Sequence, residues 1–446
     1  MRILVVSNLY PPYFIGGYEL ICCDVVQGLR KRGHEVTVFT STYGVNKALQ
    51  DGAVYRIFSP RYPLRQYKMW KPLYFFPLLL AEHNDWKQFL RFYRKVCPDI
   101  VYIWNGLGLS YSLLLKIQNL DASVAFYISE HWLSKIHEEP APEGFTLYLE
   151  PWIGFWKKRE RSLAMKAVKK VLGSLLSACG FVVRFTPFPL KEVHYACSML
   201  KEDALRTGLS VDNSKVIYSG LNLEDGPFSA LLAEPPRSTE DNLVPLKLLY
   251  VGNLLQAKGP HTVVEACALL KSKGIPFSAI IAGKKLDQQY YDMLTRRVEE
   301  ENLSSHVSFK LDLTREDLIT YYRTYHILII PSIWREPTGQ VILEGMTAGI
   351  PILHTGVGGT REILEEGKNC LLFSPDNPRK LAEQIVRIAQ DKNLYSQLSR
   401  GGKQTVQERF NLANMVIEIE EDFNRLLNQI SFNPKMYPLF DKRKKI

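Results

Sequence analysis

Two glutamates, Glu336 and Glu344, stand eight residues apart in the stretch IIPSIWREPTGQVILEGMTAGIPIL, residues 329–353. Pro337 and Gly339 lie between them, so the pair does not share one helix face. A buried strand ends at Pro331, a loop follows, and Gln340 opens a helix that runs until Gly349. Glu336 then sits on the loop and Glu344 in the first turns of the helix. The amides of Gly339, Gln340 and Val341 form an anion site at the helix N-terminus. A carboxylate one turn further in can accept hydrogen bonds from two ring hydroxyls, and the loop carboxylate can grip a second set. A diphosphate with a ribose on one side and a sugar on the other meets all three requirements. Either glutamate alone reads more simply as a solvated loop residue or a capping-turn acid. The stretch as a whole is what points to a ligand.

These groups need a scaffold that brings helix N-termini to strand ends. Residues 2–6 (RILVV) are an apolar run of strand length. Gly16 and Gly17 follow, then a helical pattern over 18–31 and a strand over 36–39, which together make one right-handed βαβ unit. Strands over 99–103, 124–127 and 215–218 continue it, with helices over 109–120, 159–170 and 200–207. The alternation restarts with strands at 246–251, 277–282, 307–310, 326–330, 352–353 and 370–373. Helices are expected at 260–273, 288–301, 315–323 and 340–348, and amphipathic ones over 377–392 and 394–429. Between the halves, residues 224–245 are rich in Pro, Glu and Ser and have no clear period.

The chain of 446 residues is too long for one ordinary core. The expected fold class is α/β. A Rossmann-like domain occupies 1–225, a linker 226–245 and a second Rossmann-like domain 246–412. Over 413–446 a helix crosses back to the first domain and a basic tail follows. Sheets of this parallel kind bind ligands at the carboxyl ends of their strands.

PSIWREPTGQVILEGMTAGIPIL resembles the E-x7-E signature of glycosyltransferase family four, and the similarity extends across nearly the whole chain. These are retaining enzymes with the GT-B fold. The resemblance implies two Rossmann-like domains with parallel sheets facing across a cleft, the first for the acceptor and the second for a nucleoside-diphosphate sugar. It implies Glu336 at the donor sugar and Glu344 at the ribose, with Thr338, Gly339, Gln340 and Val341 around the donor. YVGNLLQAKGPHTVVEA, 250–266, is similar to the family's first strand–loop–helix of the donor domain, and Lys258 matches the lysine that contacts the donor phosphates. An ammonium there offsets charge that builds as the nucleotide leaves. The family usually has an arginine directly after the Gly of this motif. Here Asn253 stands in that place, and Lys284, after Gly283 in IIAGKK, is the candidate replacement. VGGTREILEEGKNCLLF, 357–373, resembles the loop that closes over the donor. Gly358 and Gly359 allow close backbone approach, and Thr360 is the expected N-cap.

In the first half, SNLYPPYFIGGYEL resembles the Gly-rich acceptor-side loop, with Gly16 and Gly17 turned to the β-phosphate or the acceptor. G-x-G-x-x-G is absent, so hydride transfer loses its main support. In FYISEHWLSKIHEE, 126–139, many family members carry a His-Asp pair shortly before a Trp. Aligned on Trp132, Ser129 takes the place of that His and Glu130 of the Asp, and His131 falls two positions late. Glu130 and His131 are therefore both candidates for a catalytic contact, beside Lys258 and Glu336. The resemblance implies transfer without a metal or a protein base, the leaving phosphate taking the acceptor proton on the same face. No D-x-D motif, metal-spaced His and carboxylate cluster or G-x-S-x-G occurs.

No cofactor or metal is expected. The substrate class is a UDP- or GDP-sugar, and the acceptor a glycan, a lipid-linked or a small molecule. Two other readings stay open: a hydrolysing sugar-nucleotide epimerase on the same fold, and a non-catalytic sugar-nucleotide binder, which Asn253 keeps alive.

A net charge of +10 favours anionic partners, but no nucleic-acid module is present and the charge is dispersed, so nucleic acid is disfavoured. Seven cysteines at irregular spacing, without a C-x-x-C pair, argue against a disulfide framework or a zinc site and fit buried thiols in a reducing compartment. The N-terminal apolar run is too short for a signal-peptide core, and no stretch approaches the length of a membrane span. A cytoplasmic protein is expected, resting on a membrane if RYPLRQYKMWKPLYFFPLLL, 61–80, is an interfacial element. That segment, and PWIGFWKKRERSLAMKAVKK over 151–170, read alternatively as buried helix ends with snorkelling lysines.

Overall fold

The alternation of apolar runs and amphipathic stretches folds into two separate sheets. The computed structural model describes residues 1–59, 75–106, 109, 111–120, 122–131, 162–178, 190–207, 211–237 and 245–432. The chain forms two units, Met1–Ile217 with Val416–Ile446, and Tyr218–Met415.

In the first unit the strands are β1 (Arg2–Ser7), β2 (Glu35–Ser41), β3 (Leu49–Asp51), β4 (Val54–Phe58), β5 (Ile100–Asn105), β6 (Ser123–Ile128), β7 (Leu190–Tyr195) and β8 (Val211–Val216). They form one sheet in the order β3-β4-β2-β1-β5-β6-β7-β8. All neighbours are parallel except the edge pair β3 and β4. The helices are α1 (Gly17–Lys31), α2 (Phe75–Val96), α3 (Tyr111–Gln118), α4 (Leu163–Ala178) and α5 (Ser198–Arg206). β1 and β2 are buried along their length after the first residue, as strands of a parallel sheet covered on both faces are.

In the second unit, α6 (Ser229–Ala233) precedes β9 (Leu246–Val251), α7 (Pro260–Ser272), β10 (Phe277–Gly283), α8 (Gln288–Glu300) and β11 (Val307–Leu311). Then come α9 (Arg315–Thr324), β12 (Ile327–Ile330), α10 (Gln340–Thr347), β13 (Ile352–His354), β14 (Cys370–Leu372), α11 (Pro378–Gln390) and α12 (Lys392–Arg409). The six strands lie in the order β11-β10-β9-β12-β13-β14. Side chains alternate between two cores. Leu248, Tyr250, Ile281, Ile329 and Leu353 pack on one face; Leu249, Ile280, Leu328, Ile330 and Ile352 pack on the other.

The expected helix over 394–429 is two helices. The chain breaks at Phe410 and Asn411, where Leu221 donates to the Phe410 carbonyl and Leu412 donates back to Leu221. α13 (Leu412–Phe432) follows, and from Val416 the chain belongs to the first unit. A Cβ on Gly28 of α1 would meet Val416 at 2.7 Å, so glycine is what admits this helix. A buried polar cluster holds it: Arg425 lies 2.9 Å from Glu192, and Asp422 3.3 Å from His194, whose Nδ1 is 3.0 Å from the Tyr102 hydroxyl.

The segment read as a linker is anchored in its first half. Phe228 and Leu231 are buried. Arg237 donates to the carbonyls of Tyr325, Ala348 and Tyr322, the last from Nη2, and its amide donates to Ser399. The helix expected over 159–170 is α4, displaced toward the C-terminus. Residues 61–74 of the basic aromatic segment, residues 132–161 and the tail over 433–446 lie outside the described residues. Among the described residues no helix is long and apolar enough to cross a membrane, and Cys22, Cys23, Cys97, Cys197, Cys267 and Cys370 are free thiols.

Candidate active site

β9 ends at Val251, and the chain turns into a 3-10 turn over Gln256–Lys258. Gly259 closes that turn with φ +68°, and a Cβ there would lie 2.1 Å from the Pro331 carbonyl oxygen. Only glycine permits that approach at that φ. The segment after β12 is thereby drawn onto the turn, and the amides of Ile333 and Trp334 donate to the Ala257 carbonyl at 2.9 and 3.1 Å. Lys258 and Glu336 are brought together by this docking, with Nζ 2.7 Å from Oε1 and both side chains half-buried.

Glu336 is held from its other side by a 3-10 turn over Gly358–Glu362. The Thr360 amide donates to the Glu336 carbonyl at 3.3 Å. Gly358 has φ +79°, and a Cβ on it would stand 2.5 Å from both the nitrogen and the oxygen of Glu336. Thr360 is not the N-cap expected of it. Val357 is the cap, and the Thr360 hydroxyl, inside the turn, donates back to the Val357 carbonyl at 2.7 Å.

Gly339 caps α10, and Ile342 and Leu343 both donate to its carbonyl. The amides of Gln340 and Val341 take no part in that ladder. Gln340 Nε2 is buried with no hydrogen-bond partner among the described residues. His354, at the end of β13, accepts the Gly356 amide on Nδ1 at 2.7 Å. Burial lowers its pKa to about 4, against the pull of Glu336 and with the push of Lys258. The ring is therefore neutral near pH 7, with its proton on Nε2, and Nε2 too is buried without a partner among the described residues. Two buried donors thus lack acceptors in the same unit as the Lys258–Glu336 pair.

Glu344 is buried. Tyr322 donates its hydroxyl to Oε2 at 3.0 Å, and Arg315 Nη2 lies 3.7 Å from Oε1. Burial, with the Glu344 charge beside it, pushes the Tyr322 pKa well up, so this hydroxyl remains a donor. The Arg315 guanidinium lies 5.4 Å from the centre of the Phe228 ring. Neither Tyr322 nor Arg315 was singled out from sequence. The available signal was their spacing, seven residues apart on one face of α9.

At the exits of β9 and β10, a Cβ on Gly283 would overlap the Gly252 carbonyl oxygen at 1.7 Å. Gly283 thus serves strand packing. Leu254 donates to the Lys284 carbonyl at 2.9 Å, which sets Asn253 and Lys284 on neighbouring exits, and the Asn253 carbonyl accepts the Tyr250 hydroxyl at 3.0 Å. Thr338 is half-buried on the loop before α10.

In the first unit Gly16 caps α1, and Gly17 is its first residue. Buried Glu19 reaches back to accept the Gly16 amide at 3.0 Å and the Ile15 amide at 3.4 Å. The Gly16 amide is therefore already engaged, which narrows the anion site expected there to the amides after it. Glu130 and His131 follow the carboxyl end of β6. His131 is buried, with Nδ1 3.5 Å from Asp203 of α5. Trp132 lies outside the described residues.

Residues 236–405 match the family described as glycosyl transferases group 1, and residues 15–172 match Glycosyltransferase Family 4. The chain belongs to glycosyltransferase family 4. As a family 4 protein it is an enzyme that transfers a sugar. It is 23% identical to an uncharacterized glycosyltransferase of Methanocaldococcus jannaschii over 94% of this chain and 96% of that one. It is likewise 23% identical to the alpha-monoglucosyldiacylglycerol synthase of Acholeplasma laidlawii, over 90% and 92%. The crystal structure of Anabaena HepE in complex with UDP-glucose superposes with a TM-score of 0.62 at 18% identity, over 95% of this chain and 99% of that one. The two parallel-sheet α/β units are those of the GT-B fold.

Proposed function

We propose that this family 4 glycosyltransferase transfers a hexose with retention from a UDP- or GDP-sugar to a hydroxyl of a glycan, lipid-linked or small-molecule acceptor. The observation that carries the reading is the Lys258–Glu336 contact together with the unpartnered donors on Gln340 and His354 in the same unit. A ligand with several anionic oxygens supplies the acceptors those donors lack. In this reading the Lys258 ammonium and the first amides of α10 take the diphosphate. Glu336 holds sugar hydroxyls and Glu344, steadied by Tyr322 and Arg315, holds the ribose. Lys284 supplies the cation that Asn253 does not, with Gly283 keeping that exit open and Thr338 beside the sugar. In the first unit the reading rests on Gly16 and Gly17 at the start of α1 and on Glu130 and His131 after β6.

The bond from the anomeric carbon to the β-phosphate oxygen breaks as the acceptor oxygen bonds the same face, and the acceptor proton passes to that departing phosphate oxygen. The chemistry proposed uses no metal and no cofactor. The Acholeplasma relative, named for synthesis of a glucosyl lipid, supports the lipid-linked option, and the segment 61–80 is then a membrane-contact candidate. The test is nucleotide release from a panel of UDP-, GDP- and ADP-sugars, with product mass read against candidate acceptors. Release of UDP or GDP with a hexose added at unchanged anomeric configuration is expected. No binding of any sugar nucleotide at millimolar concentration sinks the proposal.

A further inference from the structure

α4 is built inside out. At 3.6 residues per turn, Met165, Val168, Val171, Leu172 and Leu175 fall on one half of the helix. All five are exposed, Val171 and Leu175 to 61%. The opposite half carries Lys166, Lys170 and Gly173, and Gly173 is the helix's one buried residue. The helix thus turns only Gly173 inward, its lysines stay at the surface, and the apolar side is presented outward. A soluble helix of this amphipathicity does the reverse, because apolar area left in water is unfavourable. The sixteen residues LAMKAVKKVLGSLLSA include three lysines and no acidic side chain. Lys166 and Lys170 are exposed and Lys169 is half-buried.

The geometry points to α4 as an interfacial helix that lies on a bilayer containing anionic lipid, its apolar half sunk among the acyl chains and its lysines at the headgroups. An apolar face in a basic helix without acidic residues is what such a surface recognises, through burial and charge together. The inference stands apart from the donor site and does not require it.

The test is co-sedimentation of the full chain with vesicles of phosphatidylcholine alone and of phosphatidylcholine with phosphatidylglycerol. Binding to the second kind, weakened by salt, is expected. Val171→Asp with Leu175→Asp should lower vesicle affinity about tenfold or more, and Lys166→Glu with Lys170→Glu should remove the preference for anionic vesicles. Thermal melting of each variant reports whether it folds, and nucleotide release from the donor sugar in vesicle-free buffer should match wild type. Absence of vesicle binding, equal binding by both double variants and wild type, or indifference to phosphatidylglycerol overturns the inference. So does a wild-type dimer that the aspartate pair turns into monomers, since a second copy would then cover this face.

Discussion

Lys258 Nζ rests 2.7 Å from Glu336 Oε1, although 78 residues separate them in the chain. Their charges offset each other across a contact that is still partly open to solvent. In the function proposed above, a diphosphate at Lys258 competes with Glu336 for the ammonium, and capture of the phosphates frees that carboxylate for sugar hydroxyls. Lys258→Ala should cut kcat/KM for the sugar nucleotide by roughly 10²–10³, as loss of a group that meets developing charge does. Steady-state kinetics decide it, and a variant within a factor of a few of wild type removes Lys258 from the mechanism.

Gly358 tests whether Glu336 must be held in place. Gly358→Ala puts a methyl 2.5 Å from the Glu336 backbone. Gly274 has a similar φ, +69°, and nothing within 4 Å of its Cβ position. Alanine at either site bears the left-handed strain of about 1 kcal/mol. Only at position 358 should turnover fall, by about tenfold or more. Equal activity of the two alanine variants shows that Glu336 tolerates displacement.

Tyr322→Phe should leave the buried Glu344 carboxylate short of a donor. We expect a loss of about 1–2 kcal/mol in denaturant unfolding and a raised KM for the donor with kcat little changed. A fall in kcat at constant KM contradicts a ribose-side role for Glu344.

Glu19 carries a pH dependence of known sign. Burial raises its carboxyl to about 7, and the amide hydrogen bonds from Gly16 and Ile15 only partly oppose this. The folded protein therefore holds that proton more tightly than the unfolded chain. The resulting stabilisation is complete below about 4.5 and is lost as pH rises through about 7. Glu19→Gln, neutral at every pH, should gain in melting temperature on wild type between about pH 5 and about pH 8. Parallel curves across that range refute the assignment.

The elements of the second unit were largely legible, because its strands are continuous apolar runs and its helices have clear periods. The places of Lys258 on a turn, Glu336 on a loop and Glu344 in a helix were legible through the motifs around them. β7 was not, since LKEVHY reads as polar. Its Glu192 and His194 are buried only because Asp422 and Arg425 meet them from more than 200 residues away. Arg237 was hidden in a Pro- and Glu-rich stretch, where composition is blind to the carbonyls it reaches. The clasp of Gly358 on Glu336 follows from a positive φ and a backbone contact, and neither leaves a mark in the order of residues.

The division of the chain at Ile217/Tyr218 and again at Met415/Val416 has a meaning for recombination. The second unit is a cassette inserted between two pieces of the first, so exchanging it with that of another glycosyltransferase takes two crossovers. A single junction placed after Phe228 in the 226–245 stretch would part Phe228 from its core, and one placed after Arg237 would part that residue from its carbonyls too. Chimeras that keep both native junctions carry those anchors with the second unit and leave α13 from Val416 onward with the sheet of the first.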